Sequence, residues 1–221
     1  MARPRSAGYD DQREAILTQA AALFAAQGYT ATSMNQVAAA CGVSKATLYH
    51  YVSDKHALLS LVAEAHVKRL ELVVDEVQAQ ALPPEEALRE LIVRFVREYA
   101  SAQNEHRVLT DDVRFLADKE RQHVLDAERR VVAAFAQTVA AVRPALREAE
   151  LHKPLTMLLF GMINWMFTWL KPGGPLTHEQ MAPLVAELFF GGLGAVTVPR
   201  PPAPGPSSRP QAAAPSVSLF P

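Results

Sequence analysis

The 221-residue sequence holds a single cysteine, Cys41, so no internal disulfide can form. Cys41 sits in an Ala-rich stretch, where a lone thiol serves as a small buried hydrophobe. Charge of one sign is missing too: the formal net charge is −1, which removes any global basic signature. A nucleic-acid partner would therefore need locally clustered positive surface. Alternating β-branched runs are absent, so no strand is expected. Also absent are a Gly-rich phosphate loop, a His-Glu-x-x-His pair, a Gly-x-Ser-x-Gly elbow and a paired-cysteine metal site. His66, His106, His123, His152 and His178 are scattered and read as surface residues. No enzyme activity, metal or cofactor is expected. The N-terminal residues carry charge but no apolar core, which excludes a secretory leader. The most apolar run, Leu155 to Leu170, is broken by Thr156, Asn164 and Thr168. It is shorter than the roughly 18 apolar residues of a membrane span, so a buried helix, no membrane and a cytoplasmic location are expected.

What the chain does have is helical periodicity and helix punctuation. Ile16, Leu17, Ala20, Ala21 and Phe24 mark one stripe of a first helix over 11–27, stopped by Gly28. Ser33 with Gln36 has capping-box spacing, opening a short second helix that Gly42 ends. Ser44 caps a third helix through about Tyr51, and Asp54 caps a long fourth. Further helices are expected at about 85–103, 105–117, 119–142, 153–171 and 177–196, about nine in all, with Thr177 and Gln180 repeating the capping box. Eight of the sixteen prolines fall from Pro199 onward, so residues 198–221 are expected to form a disordered Pro-rich tail.

The segment from Ser33 to Tyr51 has the pattern of a helix-turn-helix: two helices too short to stand alone, joined by a tight turn at Gly42. Ala38 and Ala39 permit close approach, and Val43 and Leu48 plug the angle between the helices. Ser44, Lys45, Thr47, His50 and Tyr51 are then left pointing outward. Hydroxyls and Lys45 at the start of such a helix suit base edges and phosphates in a major groove. Lys55, opening the next helix, offers a further phosphate contact.

Residues 12–62 resemble the N-terminal domain of the TetR family. The resemblance rests on Leu23-Phe24-Ala-Ala-Gln-Gly28-Tyr29, Thr32-Ser33-Met34, Val37-Ala38, Gly42-Val43-Ser44-Lys45-Ala46-Thr47-Leu48-Tyr49 and Lys55-His-Ala-Leu58-Leu59. It implies an all-α homodimer with a three-helix DNA-binding domain and a helical effector-binding and dimerising domain. The implied boundaries are an N-terminal arm over 1–10, a DNA-binding domain over 11–54 and an effector domain over 55–197. By matching position, Tyr49, His50 and Lys55 would meet the DNA backbone, and Ser44, Lys45 and Thr47 the groove. Ser33 and Tyr51 complete the DNA-binding set, and Arg3 and Arg5 resemble basic arms of some members. Where members often read Tyr-His-Phe, this chain reads His50-Tyr51-Val52, which leaves the roles of His50 and Tyr51 open.

The run from Leu159 to Gly174, with Leu188-Phe-Phe-Gly-Gly-Leu193, resembles the branch of the family that responds to acyl-CoA thioesters. It implies a small hydrophobic effector, such as an acyl- or aryl-CoA thioester, and release of a double-stranded DNA operator on binding. Tyr99, Arg114, Asn164 and Trp165 are the pocket candidates, with Arg94, Arg97 and Arg121 also placed to meet phosphates. Gly161, Leu188, Gly191, Gly192 and Ala195 are the dimer-interface candidates. Effectors of the efflux type remain an alternative within the family, and a helical adaptor an alternative outside it.

Overall fold

Local caps and glycine stops organise the helices. The computed structural model describes residues 7–170 and 173–198, which include ten α-helices and one 3₁₀ turn. The helices are α1 (Ala7–Gln27), α2 (Met34–Ala40), α3 (Lys45–Tyr49), α4 (Lys55–Ala79) and α5 (Pro84–Ser101). They continue as α6 (Gln103–Asp111), α7 (Asp118–Val142), α8 (Ala145–Glu148), α9 (His152–Trp169) and α10 (His178–Ala195). The 3₁₀ turn, Val113–Phe115, lies between α6 and α7. No strand occurs among the described residues, and none of their helices is long and apolar enough to cross a membrane. Arg3, Arg5 and all of the Pro-rich tail except Val198 lie outside the described residues.

The helix total exceeds the expected nine because α8 adds a single turn behind Pro144, whose carbonyl accepts from Arg147. The first helix also begins within the residues expected to form the arm, 1–10. α1 begins at Ala7, with the Tyr9 ring stacked on Tyr51 at 4.7 Å, a tertiary contact that extends the helix past its sequence signal. Both expected capping boxes are present, at Ser33–Gln36 and Thr177–Gln180. Gly28 and Gly42 take φ of 87° and 65°, the left-handed turns that stop α1 and α2.

The chain divides into two compact units, residues 7–69 with 102–126 and residues 70–101 with 127–198. In the first, Ile16, Leu17, Ala20, Ala21 and Phe24 of α1 are buried, and α6 packs on α1. His66 and His106 are not the surface residues expected: both are fully buried, with Nε2 of His66 3.4 Å from Nδ1 of His106. In the second unit, Phe95 of α5 meets Phe135 of α7 edge-on at 4.7 Å, and Phe160 of α9 lies 4.9 Å from Phe135. Val185, Ala186 and Phe189 of α10 join the same core.

Candidate nucleic-acid interface

α3 has only five residues, too short to be stable without support from caps and packing. Ser44 supplies the cap: its hydroxyl accepts from the Thr47 backbone N–H at 3.0 Å and pairs with the Thr47 hydroxyl at 2.8 Å. Leu48, fully buried, anchors the helix from beneath. Lys45, Tyr49 and His50 consequently stay on the surface, with Tyr49 43% exposed and the Lys45 ammonium 6.0 Å from its ring centroid. An ammonium, a phenol and an imidazole on one exposed helix face make a surface able to donate to phosphates and base edges.

Ser33 is exposed as the α2 cap, and its hydroxyl is spent on Gln36 at 2.8 Å. Tyr51 is half-buried, its ring stacked on Tyr9 at 4.7 Å. Lys55 does not present a free ammonium. Its Nζ donates to the carbonyls of Tyr29 at 2.9 Å, Thr30 at 3.2 Å and Thr32 at 2.9 Å. All three N–H donors are thereby used, and the cation also sits 4.5 Å above the Tyr29 ring. Lys55 therefore clamps the α1–α2 loop. Around the clamp, Tyr29 stacks on Phe115 at 5.3 Å, and the Ala117 N–H donates to Nε2 of His56 at 3.0 Å.

The four pocket candidates fall in different environments. Tyr99 is buried in the second unit's core, edge-on to Phe95 at 6.0 Å, and burial with the nearby Glu128 charge raises its phenol. Asn164 is half-buried, with Oδ1 enclosed and unpartnered. Trp165, by contrast, is 67% exposed and belongs to the outer face of α9. An aromatic residue at helical spacing marks an apolar face without saying which neighbour covers it. Arg114 is an exposed residue of the first unit, 5.0 Å over the Phe115 ring. The other phosphate candidates hold carboxylates: Arg94 pairs with Glu76, Arg97 with Glu179 at 2.9 Å and Arg121 with Asp118 at 2.6 Å. No group of three metal-ligating side chains occurs among the described residues.

The interface candidates Gly161, Leu188, Gly191, Gly192 and Ala195 are all exposed. Leu158, Gly161, Trp165 and Trp169 follow three- and four-residue spacing on α9, as do Leu184, Leu188, Gly191 and Ala195 on α10. Each set is one apolar stripe, and Leu188 is 68% exposed. A Cβ added at Gly161, Gly191 or Gly192 would meet nothing within 4 Å of the same chain. Mid-helix glycine costs about 1 kcal/mol against alanine, and packing within the chain gives no reason for that cost.

Sequence reasoning missed Glu128, which is buried on α7. The signal was present: Glu128 falls on the stripe of Val124, Ala127, Val131 and Phe135, an acid where the period demands an apolar residue.

A Gly-turned pair of short helices, the second capped and exposed on its outer face, defines a helix-turn-helix DNA-binding protein. Residues 16–62 match the family described as bacterial regulatory proteins, tetR family, and residues 81–193 match the tetracyclin repressor-like C-terminal domain. The chain belongs to the TetR family, a family of transcriptional regulators. It is 22% identical over 191 residues to the HTH-type transcriptional repressor KstR2 of Rhodococcus jostii, spanning 85% of this chain and 94% of that protein. Among solved structures, a TetR-family regulator from Bordetella parapertussis is 31% identical with a TM-score of 0.78, over 86% of this chain and 99% of that one. AibR, solved with isovaleryl coenzyme A and operator DNA, is 27% identical with a TM-score of 0.70, over 80% and 97% of the two chains.

Proposed function

We propose that this chain is a homodimeric, cytoplasmic repressor that binds a palindromic operator and is released by a small hydrophobic effector, an acyl- or aryl-CoA thioester. The observation that carries DNA reading is the exposed face of α3, where Lys45, Tyr49 and His50 stand clear of every internal role that Lys55 and Tyr51 have taken up. Ser44 and Thr47 keep lone pairs for the groove beyond their mutual contact, and Ser33 flanks them at the α2 cap. The paired apolar stripes of α9 and α10, with glycines that nothing in the chain requires, support a second copy as their cover. The effector class is supported by AibR, which was solved holding both isovaleryl coenzyme A and operator DNA. Release follows if the effector binds the DNA-incompetent arrangement more tightly than the competent one.

Gel-shift titration on operator fragments recovered by genome-wide binding tests the DNA assignment. Lys45→Ala and Tyr49→Ala are expected to abolish the shift while leaving the dimer intact, and unchanged affinity in both variants would remove it. A thermal-shift panel of CoA esters and free acids, with matched gel shifts, tests the effector class. If no CoA ester raises the melting temperature or frees DNA, the thioester reading fails.

A further inference from the structure

Among the described residues, the second unit buries two polar or charged side chains besides Tyr99: Thr156 and Glu128. Thr156 is satisfied, its hydroxyl donating to the His152 carbonyl at 2.8 Å. Glu128 is not. Its side chain is 2% exposed, and Oε1 has no hydrogen-bond partner. It lies on the α7 stripe that also carries Val131 and Phe135, both part of the apolar core. Tyr99 of α5, one turn beyond Phe95, which itself packs on Phe135, is near enough for the Glu128 charge to raise its phenol. A buried carboxyl thus sits within this apolar unit with one oxygen unanswered. Such an orphan is costly in a fold that needs nothing there, and it is a feature of ligand sites.

We propose that Glu128 anchors the uncharged carbonyl end of the effector inside the C-terminal unit. The inference rests on the reading of this unit as effector-binding and deepens it by naming the group that is recognised. Burial pushes the Glu128 carboxyl up to about 8, against the weaker opposing pull of Arg129. At neutral pH the group is therefore mostly a neutral acid, a donor through its O–H and an acceptor through its other oxygen. A thioester or ester carbonyl accepts from it. A free carboxylate competes for the same proton and brings an uncompensated charge into the core, so the acid is rejected where the ester is held.

The test uses the full chain as wild type, Glu128→Gln and Glu128→Leu, titrated calorimetrically with isovaleryl, octanoyl and phenylacetyl groups. Each group is offered as CoA thioester, methyl ester and free acid. Wild type is expected to bind at least one ester and to bind its free acid at least about tenfold more weakly. Glu128→Leu is expected to weaken ester binding by about tenfold or more, and Glu128→Gln by no more than about threefold. Unliganded Glu128→Leu should melt at or above the wild-type temperature, because it replaces a buried orphan with an apolar side chain. A merely structural carboxyl would lower it. Should Glu128→Leu fail to fold, the ester-to-acid preference and the Glu128→Gln titration decide. Binding of methyl esters without CoA esters would uphold the anchor while sinking the CoA reading. The proposal is overturned if the free acids bind as well as the esters, if Glu128→Leu binds esters unchanged, or if wild type binds none of the panel.

Discussion

Single side chains in this protein are committed to internal tasks more often than their chemistry suggests. Lys55 is the clearest case: a cation opening a helix in a DNA-binding domain, yet all its donors close on the carbonyls that follow α1. Lys55→Met keeps the stem and deletes the donors, so it is expected to cost about 1–3 kcal/mol by urea denaturation. Among the buried titrating groups, His66, His106 and Glu128 shift strongly within the range from acid to mildly alkaline pH. Burial lowers His106 from 6.5 to about 3, and burial, then His106 and Arg69, hold His66 well below 6.5. Both rings take protons more readily in the unfolded chain, so their contribution is full above pH 6.5 and is lost as pH falls towards the folded values. Glu128 acts in reverse: raised from 4.5 to about 8, it favours the fold at low pH and loses that contribution as pH rises through this window. Each group changes stability by up to about 1.4 kcal/mol per pH unit. Two rings outweigh one carboxyl below pH 6.5, and the carboxyl acts alone above it. These groups are thus expected to produce a stability maximum near pH 6.5 in denaturant titrations across pH. Glu128→Gln should flatten the alkaline side, and His106→Asn the acid side.

At the scale of elements, the helices depend on their ends. α3 has five residues and one hydroxyl cap, so Ser44→Ala is expected to lower stability by about 1 kcal/mol, with Ser44→Asp restoring it in thermal melts. These ends were legible in the sequence because caps and glycine stops are local: Ser33–Gln36, Ser44, Gly42 and Thr177–Gln180 all do what their spacing predicts. What escaped the sequence was tertiary. The early start of α1 accompanies a Tyr9–Tyr51 stack between residues far apart in the chain. The buried state of His66 and His106 depends on α4 and α6 meeting, and neither helix alone announces it. Trp165 illustrates the same limit at the candidate site. Its position on an apolar stripe was readable, whereas its exposure depends on which side of α9 the rest of the unit occupies. Glu128 stands between these cases, since its periodic position flagged a buried acid but nothing local said that Tyr99 would lie near it.

At the scale of the whole molecule, the two exposed apolar stripes of α9 and α10 support the proposed assembly. Leu158, Trp165 and Leu188 are each at least 65% exposed in one chain, an arrangement that a soluble monomer seldom tolerates when such residues are contiguous. A two-fold axis through this face would set each stripe against its copy, with Gly161, Gly191 and Gly192 admitting close helix contact. DNA reading then becomes a property of the pair. Two copies of α3 can grip successive major-groove turns only if held about 34–36 Å apart, and each monomer alone offers a single five-residue helix. Leu188→Glu places a carboxylate on the exposed stripe of α10 without touching α3 or the aromatic core of its own unit. Analytical ultracentrifugation is expected to show a monomer for this variant, and helix content by circular dichroism should be unchanged. Operator affinity should fall by about a hundredfold or more, because the second half-site no longer benefits from a tethered partner. A Leu188→Glu protein that remained dimeric, or that bound operator like wild type, would move the assembly surface elsewhere on the chain.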